Sequence, residues 1–249
     1  MKKLSIIIPV YNEQQFVWQL LQKVYETDVS IIDYEKEIVI VNDGSADASE
    51  QIIQSFVTCH DDCSIQYISK ANGGKWSALK AWFAKATGDL YIIQDADLEY
   101  DPSDYIPLIQ KIEQESLDFV YGSRTTGYMK YGARYSTLFF LAGWLALSLL
   151  TSLLGGVWMT DEPTCYKLFT SKLKKYLISI PEDGFEREPA ITMLLLRKWY
   201  KYGESPIRYY PRPVSQWKKI KLKDGWIAIK TLLKYRFTSW RISNLDIIH

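Results

Sequence analysis

The chain has 249 residues, 47% of them hydrophobic, which is enough apolar material for a sizeable core. Its formal net charge of +1 gives no general attraction to nucleic acid. The charge is nevertheless unevenly distributed along the chain. From Arg197 onward there are thirteen basic and three acidic residues, a net charge of +10, which leaves −9 for the residues before Arg197. An acidic body with a basic tail predicts a cation site in the body and an anionic partner for the tail, the alternative being an unevenly charged solvated surface.

The opening "MKKLSIIIPVYNE" has the charged start and apolar run of a signal peptide. The run is short, contains Pro9 and ends in Asn12 and Glu13 without a small-residue cleavage site. We therefore interpret it as a first strand.

The cysteines favour a reducing compartment. Cys59, Cys63 and Cys165 are odd in number and include no CxxC pair, which disfavours a disulfide scaffold. The "CHDDC" run at 59–63 lacks the second ligand pair of a structural zinc site.

Strand-like and helix-like segments alternate through the first half. Continuous apolar runs predict strands at 4–10, 37–43, 65–70, 89–95 and 118–123. Helical patterns lie between them at 13–27, 46–57, 75–86 and 103–115. This alternation predicts an α/β fold, a mostly parallel twisted sheet flanked by helices.

Polar clusters follow three of these predicted strands. They are Tyr11-Asn12-Glu13, Asp43-Gly44-Ser45 and Asp95-Ala96-Asp97. Because ligands of such sheets bind at the carboxyl ends of the strands, we expect the three clusters to form one site.

The run "IIQDADLEYDP" at 92–102 spaces four carboxylates two residues apart. Like charges this close cost free energy unless a cation or a set of donors binds them. In an extended segment alternate residues share one side, so Asp95, Asp97 and Glu99 are predicted to bind one Mg²⁺ or Mn²⁺ together with a diphosphate. The alternative is a solvated acidic turn.

Several motifs, taken in order, resemble the family-2 glycosyltransferases, which have the GT-A nucleotide-sugar-binding fold. They are "SIIIPVYNE", "VNDGSAD", "NGGKWSAL", "GDLYIIQDADLEYDP" and "VYGSR". Two more, "TDEPTCYKLF" and "PIRYYPRPVSQWKKIKLKDGWIAIKTLLKYRF", resemble the branch that transfers one hexose to a polyprenyl (dolichyl-type) phosphate. The resemblance covers residues 4 to 238 and implies a single catalytic domain over 1–249, with amphipathic helices in the membrane interface.

The resemblance also implies roles for the polar clusters. The residues implied to hold the base and ribose of the nucleotide are Pro9, Tyr11, Glu13 and Asp43. Those implied to form the metal shell are Asp95, Asp97 and Glu99, with Asp95 also binding the nucleotide sugar and Asp97 acting in catalysis.

Basic residues are the candidates for phosphate binding. Lys75 follows two glycines at a predicted helix start, where N–H groups and an ammonium suit an anion, although a structural turn explains the glycines equally well. The resemblance implies that Arg124 and Arg134 contact the acceptor phosphate or the leaving diphosphate. It further implies that Lys218 and Lys219 close over the diphosphate, the alternative being solvated lysines.

Both histidines, His60 and His249, lie outside the clusters. A phosphate acceptor is already an anion and needs no general base, so their absence from the clusters favours such an acceptor. Glu188, in preference to Glu186, is the candidate base or acceptor-positioning residue. The implied reaction inverts C1 of a UDP-glucose or GDP-mannose donor to give a β-linked lipid phosphate, with the tail sequence favouring glucosyl relatives.

Residues 135–160 contain no charge, and 138–154 are apolar enough in length for a membrane span. A single crossing would divide the site, since Glu188 and Asp97 would lie on opposite sides. We therefore expect interfacial helices or a shallow hairpin, with a buried helix pair as the alternative. The basic loop and amphipathic helix of 209–249 would add attraction to anionic lipid, although docking of this helix on the domain is the alternative. We expect the protein at the cytoplasmic face of the membrane, either peripheral or embedded in the interface.

Two other functions fit the same motifs. One is a family-2 glycosyltransferase that acts on a glycan or lipid hydroxyl. The other is a non-catalytic module that binds nucleotide sugar, against which the intact acidic trio and both arginines argue.

Overall fold

The computed structural model describes residues 1–60, 64–74, 79–80, 83, 85–132, 138–212 and 222–238. Seven strands are assigned in these ranges: β1 Lys2–Val10, β2 Tyr34–Asn42, β3 Ser64–Ser69, β4 Leu90–Ile93, β5 Phe119–Ser123, β6 Lys167–Thr170 and β7 Tyr202–Pro206. The α-helices assigned there are α1 Val17–Glu26, α2 Ser49–Cys59, α3 Tyr105–Gln114, α4 Arg124–Tyr131, α5 Leu138–Gly155, α6 Lys174–Ser179, α7 Arg187–Arg197 and α8 Leu222–Phe237.

The strands form one mixed sheet in the order β3-β2-β1-β4-β6-β5-β7. The pairs β2–β3, β1–β2, β1–β4 and β5–β7 are parallel, whereas β6 runs antiparallel to both of its neighbours. The continuous apolar runs of β1, β2 and β4 are buried because helices cover both faces of the sheet. The five predicted strands and the predicted α/β class are confirmed.

Two strands were not predicted. The four residues of β6 include Lys167, and β7 has the sequence "YGESP", which lacks the β-branched and apolar residues of a typical strand. Pairing with neighbours from distant parts of the chain, rather than local propensity, places these segments in the sheet. The predicted helix at 75–86 lies largely outside the described residues.

The register of the parallel strands sets the position of the site. Val10 pairs with Asn42, and Ile7 pairs with Ile93, so β1, β2 and β4 end at one edge of the sheet. Beyond these ends, Asn12 and Leu98 adopt left-handed backbone conformations, with φ of 56° and 60°. Each marks a sharp turn immediately after a buried strand.

Helix α5 buries polar residues while it exposes several leucines. Ser148 and Thr151 are buried, as is the apolar Trp144. Leu149 and Leu153, by contrast, are 54% and 73% exposed. A helix with one face in water is expected to expose polar residues there, so the exposed leucines depart from that pattern.

Within the described ranges, no helix combines the length and the apolar character that a membrane crossing requires.

Gly127 tests the packing of α4 against the segment after β7. A Cβ at this position would lie 1.9 Å from the carbonyl oxygen of Ile207, which is backbone and cannot rotate away. We expect Gly127→Ala to lower the free energy of unfolding by about 1–3 kcal/mol, measured by urea denaturation. Gly143→Ala is the matched control, because a Cβ there meets nothing within 4 Å and alanine favours the helix by up to ~1 kcal/mol. Equal stability of the two variants would contradict this packing.

Candidate active site at the carboxyl edge of the sheet

The carboxylates after β4 lie in a turn. The chain leaves β4 at Ile93, and the Glu99 N–H donates to Asp97 Oδ1 at 3.1 Å across the left-handed Leu98. The prediction that this segment is extended, with alternate residues on one side, is therefore wrong. The turn itself brings the carboxylates together, because an extended chain would carry Glu99 away from the sheet edge.

The surroundings of the turn change the acidity of Asp97. Burial, followed by repulsion from Asp95 and Glu99, raises the pKa of Asp97 to about 7, although Arg212 acts in the opposite direction. The side chain of Asp97 is only 14% exposed, so water screens little of this repulsion. The turn thus holds negative charge that a cation would stabilise.

Arg212 is the basic residue that contacts this cluster. Its Nη2 lies 2.9 Å from Asp97 Oδ2, its Nη1 lies 3.5 Å from Glu13 Oε2, and its Nε lies 3.5 Å from Glu99 Oε1. The guanidinium joins the end of β1 to the turn after β4, so the predicted convergence of these two clusters is present in the fold. Sequence analysis did not single out Arg212, which lies within the basic "YYPRP" stretch.

Glu99 is held by the segment that carries Arg212. The Tyr209 hydroxyl donates to its Oε2 at 2.8 Å, and the Arg212 N–H donates to its Oε1 at 3.0 Å. The Tyr210 N–H donates to the Glu99 carbonyl oxygen at 2.8 Å. Glu99 therefore anchors residues 209–212 over the acidic turn.

Asp95 faces a thiol. The Cys165 Sγ–H donates to Asp95 Oδ2 at 2.7 Å, and Cys165 is buried. The preceding residue, Gln94, accepts from the Tyr105 hydroxyl at 2.6 Å and donates to the Asp95 carbonyl oxygen at 2.9 Å. Buried side chains thus fix the strand end from which Asp95 projects. Cys165 was counted in the sequence but given no role.

The chemistry of these donors suits a hard divalent cation. Asp95, Asp97 and Glu99 offer carboxylate oxygens, which Mg²⁺ and Mn²⁺ prefer, and the raised pKa of Asp97 reflects charge that such an ion would neutralise. Among the described residues, however, no three His, Cys, Asp or Glu side chains lie in an arrangement that could hold a metal ion without rearrangement. The three carboxylates are nonetheless of the chemical type that binds Mg²⁺ or Mn²⁺, and the guanidinium of Arg212 lies among them.

The predicted nucleotide-binding residues lie along the same edge. Asp43, at the end of β2, accepts from Lys70 Nζ at 2.8 Å and from the Gly73 N–H at 3.1 Å. The Glu13 N–H donates to Ser49 Oγ at 2.9 Å, which fixes the start of α1 against α2. Pro9 lies in β1 and Tyr11 is exposed just beyond it. Of the predicted basic ligands, Lys75, Arg134, Lys218 and Lys219 lie outside the described residues.

Arg124 is buried and paired. Its Nε and Nη2 each lie 2.7 Å from an oxygen of Asp161, its backbone N–H donates to the same carboxylate at 2.8 Å, and its guanidinium stacks on Trp144 at 3.6 Å from the ring centre. Glu204 in turn accepts from the backbone N–H groups of Thr160 and Asp161. The predicted contact of Arg124 with a phosphate stays a prediction, and Asp161 is a partner that sequence analysis did not assign.

Glu188 belongs to a second buried cluster. Its Oε2 lies 2.6 Å from Lys167 Nζ, which is also 3.9 Å from Glu162 Oε1. Burial opposes the charge of Lys167, yet Glu188, Tyr121 and Glu162 together raise its pKa. Burial also disfavours the charged form of Glu162 and therefore raises its pKa. The ion-pair partner of Glu188 thus comes from β6 rather than from the turn after β4, and its predicted catalytic role stays a prediction.

The raised pKa of Asp97 gives a test of the crowded turn. A carboxyl with a raised folded-state pKa binds more protons in the native state between pH 4 and 7, so its contribution to stability falls as pH rises through that window. In EDTA at pH 8 we expect Asp97→Asn to raise Tm by roughly 2–4 °C, a gain that shrinks at pH 5. The measurement is thermal unfolding followed by circular dichroism.

Asp101→Asn is the matched control for this measurement. Asp101 accepts from the Ser103 N–H, and asparagine serves as well as aspartate in that position. A Tm change in Asp101→Asn equal to that in Asp97→Asn would argue against repulsion within the turn.

Comparison with known proteins assigns a family. Residues 5–177, more than half of the chain, match the sequence model of glycosyl transferase family 2. A 4-deoxy-4-formamido-L-arabinose transferase of undecaprenyl phosphate from Proteus mirabilis is 36% identical over 118 residues, which are 47% of this chain and 36% of that protein. The protein of the same name from Pseudomonas syringae is 38% identical over 119 residues, 48% of this chain and 35% of the relative. Each match thus spans about a third of the relative's length.

Solved structures share the architecture. The glucosyl-3-phosphoglycerate synthase from Mycobacterium tuberculosis, in complex with Mn²⁺, UDP and phosphoglyceric acid, matches with a TM-score of 0.65 at 17% identity, over 95% of this chain and 79% of that one. A mannosyltransferase from Pyrobaculum calidifontis, in complex with GDP-Man and Mn²⁺, matches with a TM-score of 0.57 at 18% identity, over 82% and 55%. At these identities the likeness supports the GT-A fold alone. The predicted family and fold are both confirmed: this chain belongs to glycosyl transferase family 2 and has the GT-A fold.

Proposed function

We propose that this chain is an inverting, divalent-metal-dependent glycosyltransferase that moves a sugar from a nucleotide diphosphate donor to a polyprenyl phosphate. The observation that carries the proposal is the crowding of Asp95, Asp97 and Glu99 at the carboxyl edge of the sheet, with the pKa of Asp97 raised to about 7. A glucosyl or mannosyl donor is our choice for the sugar. The relatives named for 4-deoxy-4-formamido-L-arabinose favour that sugar as a second candidate.

In this proposal the acidic turn binds the donor through its diphosphate. Asp95, Asp97 and Glu99 hold Mg²⁺ or Mn²⁺, which when bound stabilises the negative charge that develops on the departing diphosphate. Complexes of Mn²⁺ with a nucleotide or nucleotide sugar in proteins of the same fold support this assignment. The base and ribose lie along Tyr11, Glu13 and Asp43, where Asp43 has two donors to orient it.

The acceptor in this proposal is a phosphate rather than a hydroxyl. The names of the relatives support an undecaprenyl-phosphate acceptor. A phosphate oxygen attacks C1 as an anion, so no side chain must remove its proton. Glu188 is paired with Lys167 at 2.6 Å, and this pairing suits an acceptor-positioning role better than that of a free base. Arg124 contributes its positive charge next to Trp144 of α5.

We propose that the chain lies at the cytoplasmic face of the membrane, and the surface of α5 supports the membrane contact. Leu145, Leu149 and Leu153 form an exposed stripe at a spacing of four residues. The neighbouring helix α8 adds exposed Trp226 and Phe237, together with exposed lysines. An apolar stripe beside aromatic and basic residues is typical of a helix that lies in the membrane interface.

Asp97→Asn tests the transfer. With labelled UDP-glucose or GDP-mannose and a polyprenyl phosphate in vesicles, we expect this variant to lose roughly 100-fold or more in rate while circular dichroism shows the fold intact. Asp101→Asn keeps the rate of the wild type. Retained transfer in Asp97→Asn, or in wild type with the metal chelated, would count against the proposal.

Product analysis separates the acceptors. A sugar released by mild acid identifies a phosphodiester, whereas an acid-stable product indicates a glycan or lipid hydroxyl. Donor binding without turnover across the acceptors and the candidate sugars would indicate a non-catalytic module.

Leu149→Glu and Leu153→Glu test the membrane location. We expect each to reduce binding to vesicles that contain anionic lipid at least threefold in a flotation assay, because a carboxylate in the interface loses hydration and is repelled by the lipid. Ile31→Glu is the control, since Ile31 is equally exposed but lies before the amino end of β2. Equal binding by all three variants and the wild type would remove α5 from the membrane contact.

A further inference from the structure

The guanidinium of Arg212 lies among three carboxylates that come from different places in the sequence. Glu13 follows β1, Asp97 and Glu99 lie in the turn after β4, and Arg212 itself follows β7 by six residues. This guanidinium places a positive charge in contact with two members of the predicted metal shell, Asp97 and Glu99. Its side chain is only 20% exposed, so it is part of the site rather than of the solvated surface.

A guanidinium in this position and a divalent cation exclude each other. Arg212 Nη2 lies 2.9 Å from Asp97 Oδ2, and Mg²⁺ requires its oxygen ligands at about 2.0–2.1 Å in nearly octahedral arrangement. Both cations are attracted to the same carboxylates, and their like charges repel. The guanidinium where it lies therefore opposes metal binding by Asp97 and Glu99.

The surrounding contacts permit the guanidinium to move away from the carboxylates. Two of the three guanidinium contacts of Arg212 are long, since Nε lies 3.5 Å from Glu99 Oε1 and Nη1 lies 3.5 Å from Glu13 Oε2, and only the Nη2 contact with Asp97, at 2.9 Å, is short. The backbone is held separately, because the N–H groups of Tyr210 and Arg212 and the hydroxyl of Tyr209 all donate to Glu99. The side chain can therefore leave the carboxylates while these backbone bonds to Glu99 remain available.

We propose that Arg212 is a metal-responsive residue whose guanidinium occupies the position of the divalent cation in the metal-free protein and is displaced when the metal binds. The proposal rests on the metal dependence proposed above. In this proposal Arg212 does not orient the metal ligands; it competes with the metal for Asp97.

The affinity for Mn²⁺ alone, without nucleotide, tests this competition. Free Mn²⁺ is measured by electron paramagnetic resonance in titrations of the full chain. We expect Arg212→Gln to lower the Kd for Mn²⁺ roughly threefold to tenfold, because the metal no longer displaces an ion pair. Arg212→Lys keeps the positive charge without the planar fork, and its Kd falls between the two.

Arg208→Gln is the matched control. Arg208 lies in the same segment and pairs with Asp104 instead of the acidic turn, so its replacement leaves the Kd of the wild type unchanged. An unchanged or higher Kd in Arg212→Gln would overturn the proposal and identify Arg212 as a structural partner of the carboxylates. An equal decrease in Arg208→Gln would also overturn it, since general electrostatics would then suffice.

The same titration distinguishes this proposal from the proposed function. Mn²⁺ binding by the wild type with no effect of Arg212→Gln sinks only the role of Arg212. Failure of every variant to bind Mn²⁺, even with UDP or GDP present, overturns the metal dependence and the role of Arg212 with it.

Discussion

Repulsion among the carboxylates that follow β4 is the constraint on which the rest of the site depends. Because β4 is paired on both sides, with β1 and with β6, the turn cannot move away from the sheet to separate its charges. The surrounding residues instead supply donors: Cys165 to Asp95, Tyr209 to Glu99 and Arg212 to Asp97. The pKa of Asp97 is nevertheless raised, first by burial and then by repulsion from Asp95 and Glu99. A site kept in this state has free energy to gain from a divalent cation.

Two buried ion pairs fix the second half of the molecule around this turn. Arg124 with Asp161 is almost fully removed from water, and in the pair of Lys167 with Glu188 the lysine is buried and the glutamate is partly exposed. Such pairs contribute little net stability, but losing one partner leaves a buried charge that costs about 3–5 kcal/mol. They therefore act mainly to specify geometry, and Arg124 also stacks on Trp144 of α5. The exposed leucine helix and the carboxyl edge of the sheet are consequently held in a fixed relation.

The parts of this fold that the sequence predicted are those determined locally. Long apolar runs made β1, β2 and β5 recognisable, and the polar residues at their ends located the edge where the site lies. The turn at Leu98 was missed because a left-handed leucine has no sequence signature, and its conformation is imposed by the packing around it. Strand β7 was missed because pairing with β5, rather than composition, makes it a strand. Arg212 was missed for a similar reason: only the fold shows which of the many basic residues in the tail reaches Asp97.

The uneven charge along the sequence has a structural counterpart. Part of the negative charge of the body lies in the turn after β4, and residues 209–212 of the basic tail close over that turn. The other basic residues of the tail would be attracted to an anionic lipid surface. Arg212 departs from that pattern, because it turns inward to the carboxylates while its neighbours on α8 face outward. In the proposed function, the residue that neutralises the donor site thus belongs to the same stretch of chain that leads to the membrane-facing helix.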